Sequence, residues 1–170
     1  LRGATVACVV ILAALLAGQQ AFARRHLPVT PFEGRLRAFL AAHNTPGRPV
    51  LVRHQQEGLQ ARLGQPVMTD MATLTWLPYR PALGKVLYPM YRDLYGINLA
   101  PRENEPAYDM PWFEVWPAKR RADWRRLAAR YEFDYVLAPS FMQLQLEPVR
   151  KGTGATLYRA PAARETARDE

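Results

Sequence analysis

Between Arg2 and Arg24 the chain carries no charged residue, and this run constrains everything around it. Apart from Thr5 and glycines at both ends, Gly3 to Gly18 consists of Val, Ile, Leu, Ala and Cys, and Gln19-Gln20-Ala21-Phe22-Ala23 extends the uncharged stretch. The length is close to the roughly 20 residues that cross about 30 Å of hydrocarbon. Residues 1–23 fit either of two roles. As a signal-like segment they have a basic start, an apolar centre and a small-x-small site at Ala21-Phe22-Ala23. As a retained transmembrane helix they have spanning length, a basic stop at Arg24-Arg25 and no proline. The first residue is Leu rather than Met, which leaves room for a start further upstream and for these residues to be the last span of a larger protein. Positive-inside bias does not orient the segment, because two Arg face one.

Residues 24–31 read as a juxtamembrane linker, 32–160 as one extracytoplasmic α/β domain and 161–170 as a flexible tail. The domain is long enough to bury a core without staples. Cys8, the single cysteine, lies in the apolar segment, so neither disulfides nor cysteine-based metal sites are available to the domain. The net charge of +8 rests on 23 basic residues, nearly all of them Arg, a bias that composition explains as well as phosphate binding does. No recognisable nucleic-acid reader accompanies it, so nucleic acid is not an expected partner.

Helix and strand signals alternate along the domain. Thr30-Pro31 followed by Phe32, Leu36, Phe39 and Leu40 gives an amphipathic helix that ends near Asn44-Thr45-Pro46-Gly47. Pro49 to Val52 reads as a short buried strand, Gln55 to Leu63 as a helix closed by Gly64, and Pro66 to Thr69 as a second strand. Leu83, Val86, Leu87, Met90, Tyr91 and Leu94 mark a helix stopped by Gly96. Pro117 to Tyr131 is a helix with Trp124, Leu127, Ala128 and Tyr131 on one face, and Tyr135 to Ala138 is the clearest buried strand. Met142 to Val149 and Ala155 to Arg159, joined by Lys151-Gly152-Thr153-Gly154, form an antiparallel hairpin at the sheet edge. The alternation predicts a small, Rossmann-like, mostly parallel sheet covered by helices.

Three stretches together resemble a known family. They are the helix end Thr45-Pro46-Gly47 leading into Arg48-Pro49-Val50-Leu51-Val52, the run from Leu127 through Tyr131-Glu132-Phe133-Asp134-Tyr135-Val136-Leu137, and the closing Leu146-Glu147-Pro148-Val149, glycine turn and Ala155-Thr156-Leu157-Tyr158-Arg159. With the preceding apolar segment, they resemble the C-terminal extramembrane domain of bacterial polytopic GT-C-type membrane glycosyltransferases, which use lipid-phosphate-linked sugars. The resemblance implies an inner-membrane protein whose C-terminal domain lies outside the cytoplasm, with the lipid-linked sugar or the rest of the polytopic protein as partner. The catalytic acids of that family lie in a loop near its first span. No such loop is present here, so no catalytic role passes to a numbered residue. The implied role is supportive: covering an embedded active site or positioning an acceptor.

The remaining chemistry is sparse. Gly152-Thr153-Gly154 sits in a turn and lacks the strand-to-helix context of a phosphate cradle. His26, His43 and His54 are not spaced as metal ligands, and no cofactor is indicated. Ser140 is the only serine and lacks the flanking glycines of a nucleophile elbow. Parallel sheets gather ligands beyond the carboxyl ends of their strands. That rim would carry Arg53, His54, Asp70 and Ser140, either as a polar ligand site or simply as the place where strands emerge into water. Lys119, Arg120, Arg121, Arg125, Arg126 and Arg130 make the helix of 117–131 strongly basic. Arg121, Arg125 and Arg126, with Trp112 and Trp116 from the aromatic loop of 97–116, are the candidates for contact with membrane or lipid phosphate. The alternative to the glycosyltransferase reading is a secreted or single-span α/β binding domain, or an accessory subunit of a membrane complex.

Overall fold

The computed structural model describes residues 29–53, 58–68, 81–101, 107 and 113–162. Two compact units emerge where a single domain was expected: Leu1–His43 with Gln56–Gln65, and Asn44–Gln55 with Pro66–Glu170.

The smaller unit holds α1 (Pro31–His43) and α2 (Leu59–Leu63). Thr30 starts α1 through a reciprocal capping box. Its hydroxyl accepts from the Glu33 N–H at 3.2 Å, and its own N–H donates to Glu33 Oε2 at 2.8 Å. Pro31 at the first helical position has no N–H to leave unsatisfied. Arg62 from α2 donates its Nε to Glu33 Oε1 at 2.8 Å. Burial by itself would raise the Glu33 pKa, but the bonds from Thr30 and Arg62 prevail and hold the carboxyl below its ordinary value. Leu36, Phe39, Leu40, Leu59 and Leu63 are buried, and Gly64 ends α2 at φ 65°, a conformation glycine adopts without a Cβ penalty.

The larger unit carries a four-stranded sheet in the order β1-β2-β4-β3, where β1 is Leu51–Val52, β2 Tyr135–Pro139, β3 Glu147–Lys151 and β4 Ala155–Arg159. β1 runs parallel to β2, and a single parallel bridge joins Val50 to Val67 on its other side. β4 pairs antiparallel with both β2 and β3. The sheet is therefore mixed, not mostly parallel. Alternation of helix and strand shows where elements lie, but the Gly152–Gly154 turn sends β4 back antiparallel between β2 and β3. β3 is the outer strand, exposed along most of its length, with a register shift between Pro148 and Arg150.

Two helices pack with this sheet, α3 (Gly84–Tyr95) and α4 (Arg121–Tyr131), and a 3-10 turn at Pro81–Leu83 leads into α3. Leu51, Val136, Ala138 and Tyr158 share one core with Leu87, Met90, Tyr91 and Leu94 of α3 and Trp124, Leu127 and Ala128 of α4. Gly96 closes α3 at φ 67°, and Val115 packs so close that a Cβ on Gly96 would sit 3.0 Å from its side chain. The last helix begins four residues later than its sequence pattern predicts. Residues 113–118 form turns, and Arg120 with Asp123 makes the cap.

The structure as described does not contain the apolar helix expected over 1–23. Those residues lie outside the described ones, and among the described residues no helix is long and apolar enough to cross a membrane. The expected tail lies outside as well from residue 163 onward. Among the described residues the fold is a mixed α/β one with four α-helices and a four-stranded sheet.

Two outcomes follow from this packing. Val136 is fully buried in the centre of the sheet, so Val136→Asp, which buries an unpaired charge, should cost about 3 kcal/mol or more in urea unfolding. Acid should also weaken the protein. Glu33 and Asp134 both titrate below their ordinary values of 4.5 and 3.8, so the unfolded chain takes up their protons first. Their contribution is complete above those values and is lost as the pH falls through the lower folded ones. A thermal midpoint that drops on acidification below about pH 4, and drops less in Glu33→Gln, is the expected result.

Candidate functional site

β1 and β2 are parallel, so their carboxyl ends share one edge of the sheet, and the Arg53 N–H continues the ladder to the Leu137 carbonyl at 3.1 Å. The Arg53 guanidinium lies over two rings, 5.3 Å from the centre of Tyr95 and 5.5 Å from that of Trp116. Both rings are fixed from their far ends. The Tyr95 hydroxyl donates to the Val52 carbonyl at 3.1 Å, and the Trp116 indole N–H donates to the Leu94 carbonyl at 2.8 Å. Burial presses the Arg53 pKa below its ordinary value, yet a guanidinium remains charged at any pH the fold meets. The cation–π contact offsets part of the lost hydration.

Beside this stack, α3 ends in carbonyls with no partner inside the helix. Trp116 takes that of Leu94, and the Lys119 ammonium takes that of Asp93 at 2.8 Å. Lys119 is half-buried, and burial lowers its pKa; the Asp123 and Asp93 carboxylates oppose that shift, while Arg126 and Arg53 reinforce it. Its charge also suits the negative end of a helix dipole. The Asp93 carboxylate accepts from the Tyr131 hydroxyl and from Arg130, each at 2.7 Å. Burial first, then the bond to Asp93, pushes the Tyr131 hydroxyl up to about 12.

The residues proposed from sequence fare differently. His54, Asp70 and Trp112 lie outside the described residues. Arg53 stands at the expected rim. Ser140 stands at the same edge, but its hydroxyl donates to the Thr153 carbonyl at 3.0 Å and its N–H to the Gly154 carbonyl at 3.2 Å, which ties the end of β2 to the hairpin turn. Trp116 is 0% exposed, so it cannot face a bilayer. This corrects its assignment as a membrane contact: the indole N–H found a carbonyl inside the fold. Arg121 and Arg126 are exposed, and Arg125 is partly buried. Arg126 spends its charge on Asp123 at 3.1 Å.

Sequence inspection missed Asp93 and Tyr95, and took Lys119 only as one of the charges of a basic helix. One signal was present: an acidic residue in the last turn of a helix opposes the dipole, so Asp93 needed cationic or hydroxyl partners from elsewhere in the chain. Among the described residues no group of three His, Cys, Asp or Glu side chains could hold a metal ion. No protein-family model, curated protein or solved structure matches the chain.

Tyr131→Phe removes the bond to Asp93 and should cost about 1 kcal/mol. Because the folded hydroxyl titrates near 12 against an ordinary 10.0, its contribution is full below pH 10 and fades as the pH rises through 12. Chemical unfolding across that range should show the alkaline decline in the parent protein and a shallower one in Tyr131→Phe.

Proposed function

We propose that this chain is a non-catalytic extramembrane domain of a GT-C-like integral membrane glycosyltransferase that uses lipid-phosphate-linked sugars, acting outside the cytoplasm at a bacterial inner membrane. The observation that carries the non-catalytic part is the commitment of the described edge groups to the fold. The hydroxyl of Ser140, the only serine, is spent on the Thr153 carbonyl. Tyr95, Lys119 and the Asp93 carboxylate are likewise spent on backbone or on neighbouring side chains. A residue doing acid–base or nucleophilic work needs its reactive atom turned toward a substrate. The glycosyltransferase part rests on the resemblance of the three stretches around Thr45, Tyr135 and Tyr158. In this role the domain presents an α/β surface to the embedded active site or to the acceptor.

A second role, that of an α/β binding domain or accessory subunit, draws on the Arg53 guanidinium held against Tyr95 and Trp116 at the sheet edge. Such a fixed planar cation suits an anionic group.

Sugar transfer from a polyprenyl-phosphate donor, assayed in membranes carrying the whole protein, distinguishes these roles. Ser140→Ala should leave turnover unchanged, and the isolated chain should transfer nothing. Turnover by the isolated chain would refute the non-catalytic assignment, and unaltered transfer after removal of this domain would refute the supportive one.

A further inference from the structure

The outward side of α3 is chemically unlike the other helix surface of its unit. Gly84, Leu87, Met90, Tyr91, Leu94 and Tyr95 turn inward. The opposite side presents Leu83, Val86, Tyr88 and Pro89, with Lys85 and Arg92 among them, all exposed. Leu83, in the turn before the helix, Val86 and Pro89 recur every third residue, so successive ones are neighbours in a row that slants across the surface; Val86 is 64% exposed. The Tyr88 ring lies back along the helix over Gly84, where an added Cβ would meet it at 3.2 Å. The only acidic residue of α3, Asp93, gives its carboxylate to Tyr131 and Arg130. The exposed side is therefore apolar and aromatic, and its only charges are positive.

The surface of α4 carries more arginine, of which Arg126 pairs with Asp123 and Arg130 with Asp93, but none of the large hydrophobic side chains exposed among the described residues lies on it, whereas Leu83, Val86 and Tyr88 lie on or beside α3. Exposed apolar side chains set among positive charges thus favour α3 for an anionic lipid layer.

We propose that the outward side of α3 seats the domain on an anionic lipid surface, with Leu83, Val86 and Tyr88 at headgroup depth and Lys85 and Arg92 on lipid phosphates. Long basic side chains lay their stems along apolar surface and carry the charge outward to the phosphates, and tyrosine is favoured at the membrane–water interface. A headgroup layer accepts the convex back of a helix without the matching groove a protein partner would have to supply. The net charge of +8 adds longer-range attraction. This contact needs no membrane-crossing segment and does not rest on the glycosyltransferase reading.

The test uses the full chain with Cys8→Ser and an environment-sensitive fluorophore on Val86→Cys, and a second protein labelled through Ala129→Cys on the exposed side of α4. Each is mixed with phosphatidylcholine vesicles with and without phosphatidylglycerol. The label at 86 should shift to the blue only on the anionic vesicles, and the label at 129 should not respond. Replacing Lys85 and Arg92 together by Gln should weaken that response about thirtyfold, at about 1 kcal/mol per basic residue. No shift at 86, an equal shift on neutral vesicles, or a shift at 129 alone overturns the proposal. So does a response at 86 to protein extract but not to vesicles.

Discussion

Helix α3 ends by handing its free carbonyls to another part of the chain, and much of the larger unit depends on that exchange. Trp116 closes the Leu94 carbonyl and Lys119 that of Asp93, so the turns of 113–119 lie against the end of α3. Buried backbone groups left open would each carry a desolvation penalty of about 1–3 kcal/mol. The same residues are then placed for everything nearby. The Trp116 ring stacks near Tyr95 at 6.0 Å and meets Trp124 edge-on at 5.5 Å, which links α3 to α4. The Asp93 side chain makes a second link between the same helices through Tyr131 and Arg130.

Arg53 owes its place to this arrangement. A guanidinium at the end of a buried strand would ordinarily be drawn toward water. Here two aromatic faces, each fixed by its own hydrogen bond, hold it at the rim where β1 ends. Asp134 performs a comparable service on the other flank of the sheet, accepting from the Thr45 N–H and from Arg48. That contact ties the segment before β1 to the entry of β2, whose Cα partners it sets in parallel register.

Elements with a local signature were legible in the sequence. Thr30-Pro31 marked the start of α1, Gly64 and Gly96 marked the ends of α2 and α3, and the Val136 region announced a buried strand, because each signal resides in a few adjacent residues. The antiparallel pairing of β3 with β4 was legible from the glycine turn between them, but strand order was not. Nothing in the alternation of Tyr135 to Arg159 says that β4 will lie between β2 and β3. Site residues divided along the same line. Arg53 was found because it directly follows a strand. Trp116 was misjudged because an aromatic among prolines looks the same whether it meets lipid or a carbonyl, and Lys119 was grouped with its arginine neighbours although its ammonium reaches back to α3. Asp93 and Tyr131 are far apart in the chain, and only the packed helices bring them together.

The outer strand of the sheet has a consequence of its own. β3 offers Glu147, Pro148, Arg150 and Lys151 along an open edge, and its register breaks between Pro148 and Arg150. An open edge is a template on which another chain can grow, and charge, proline and a bulge each spoil the template. Where these folded sheets crowd together, their margins repel and mismatch one another instead of zipping into fibrils.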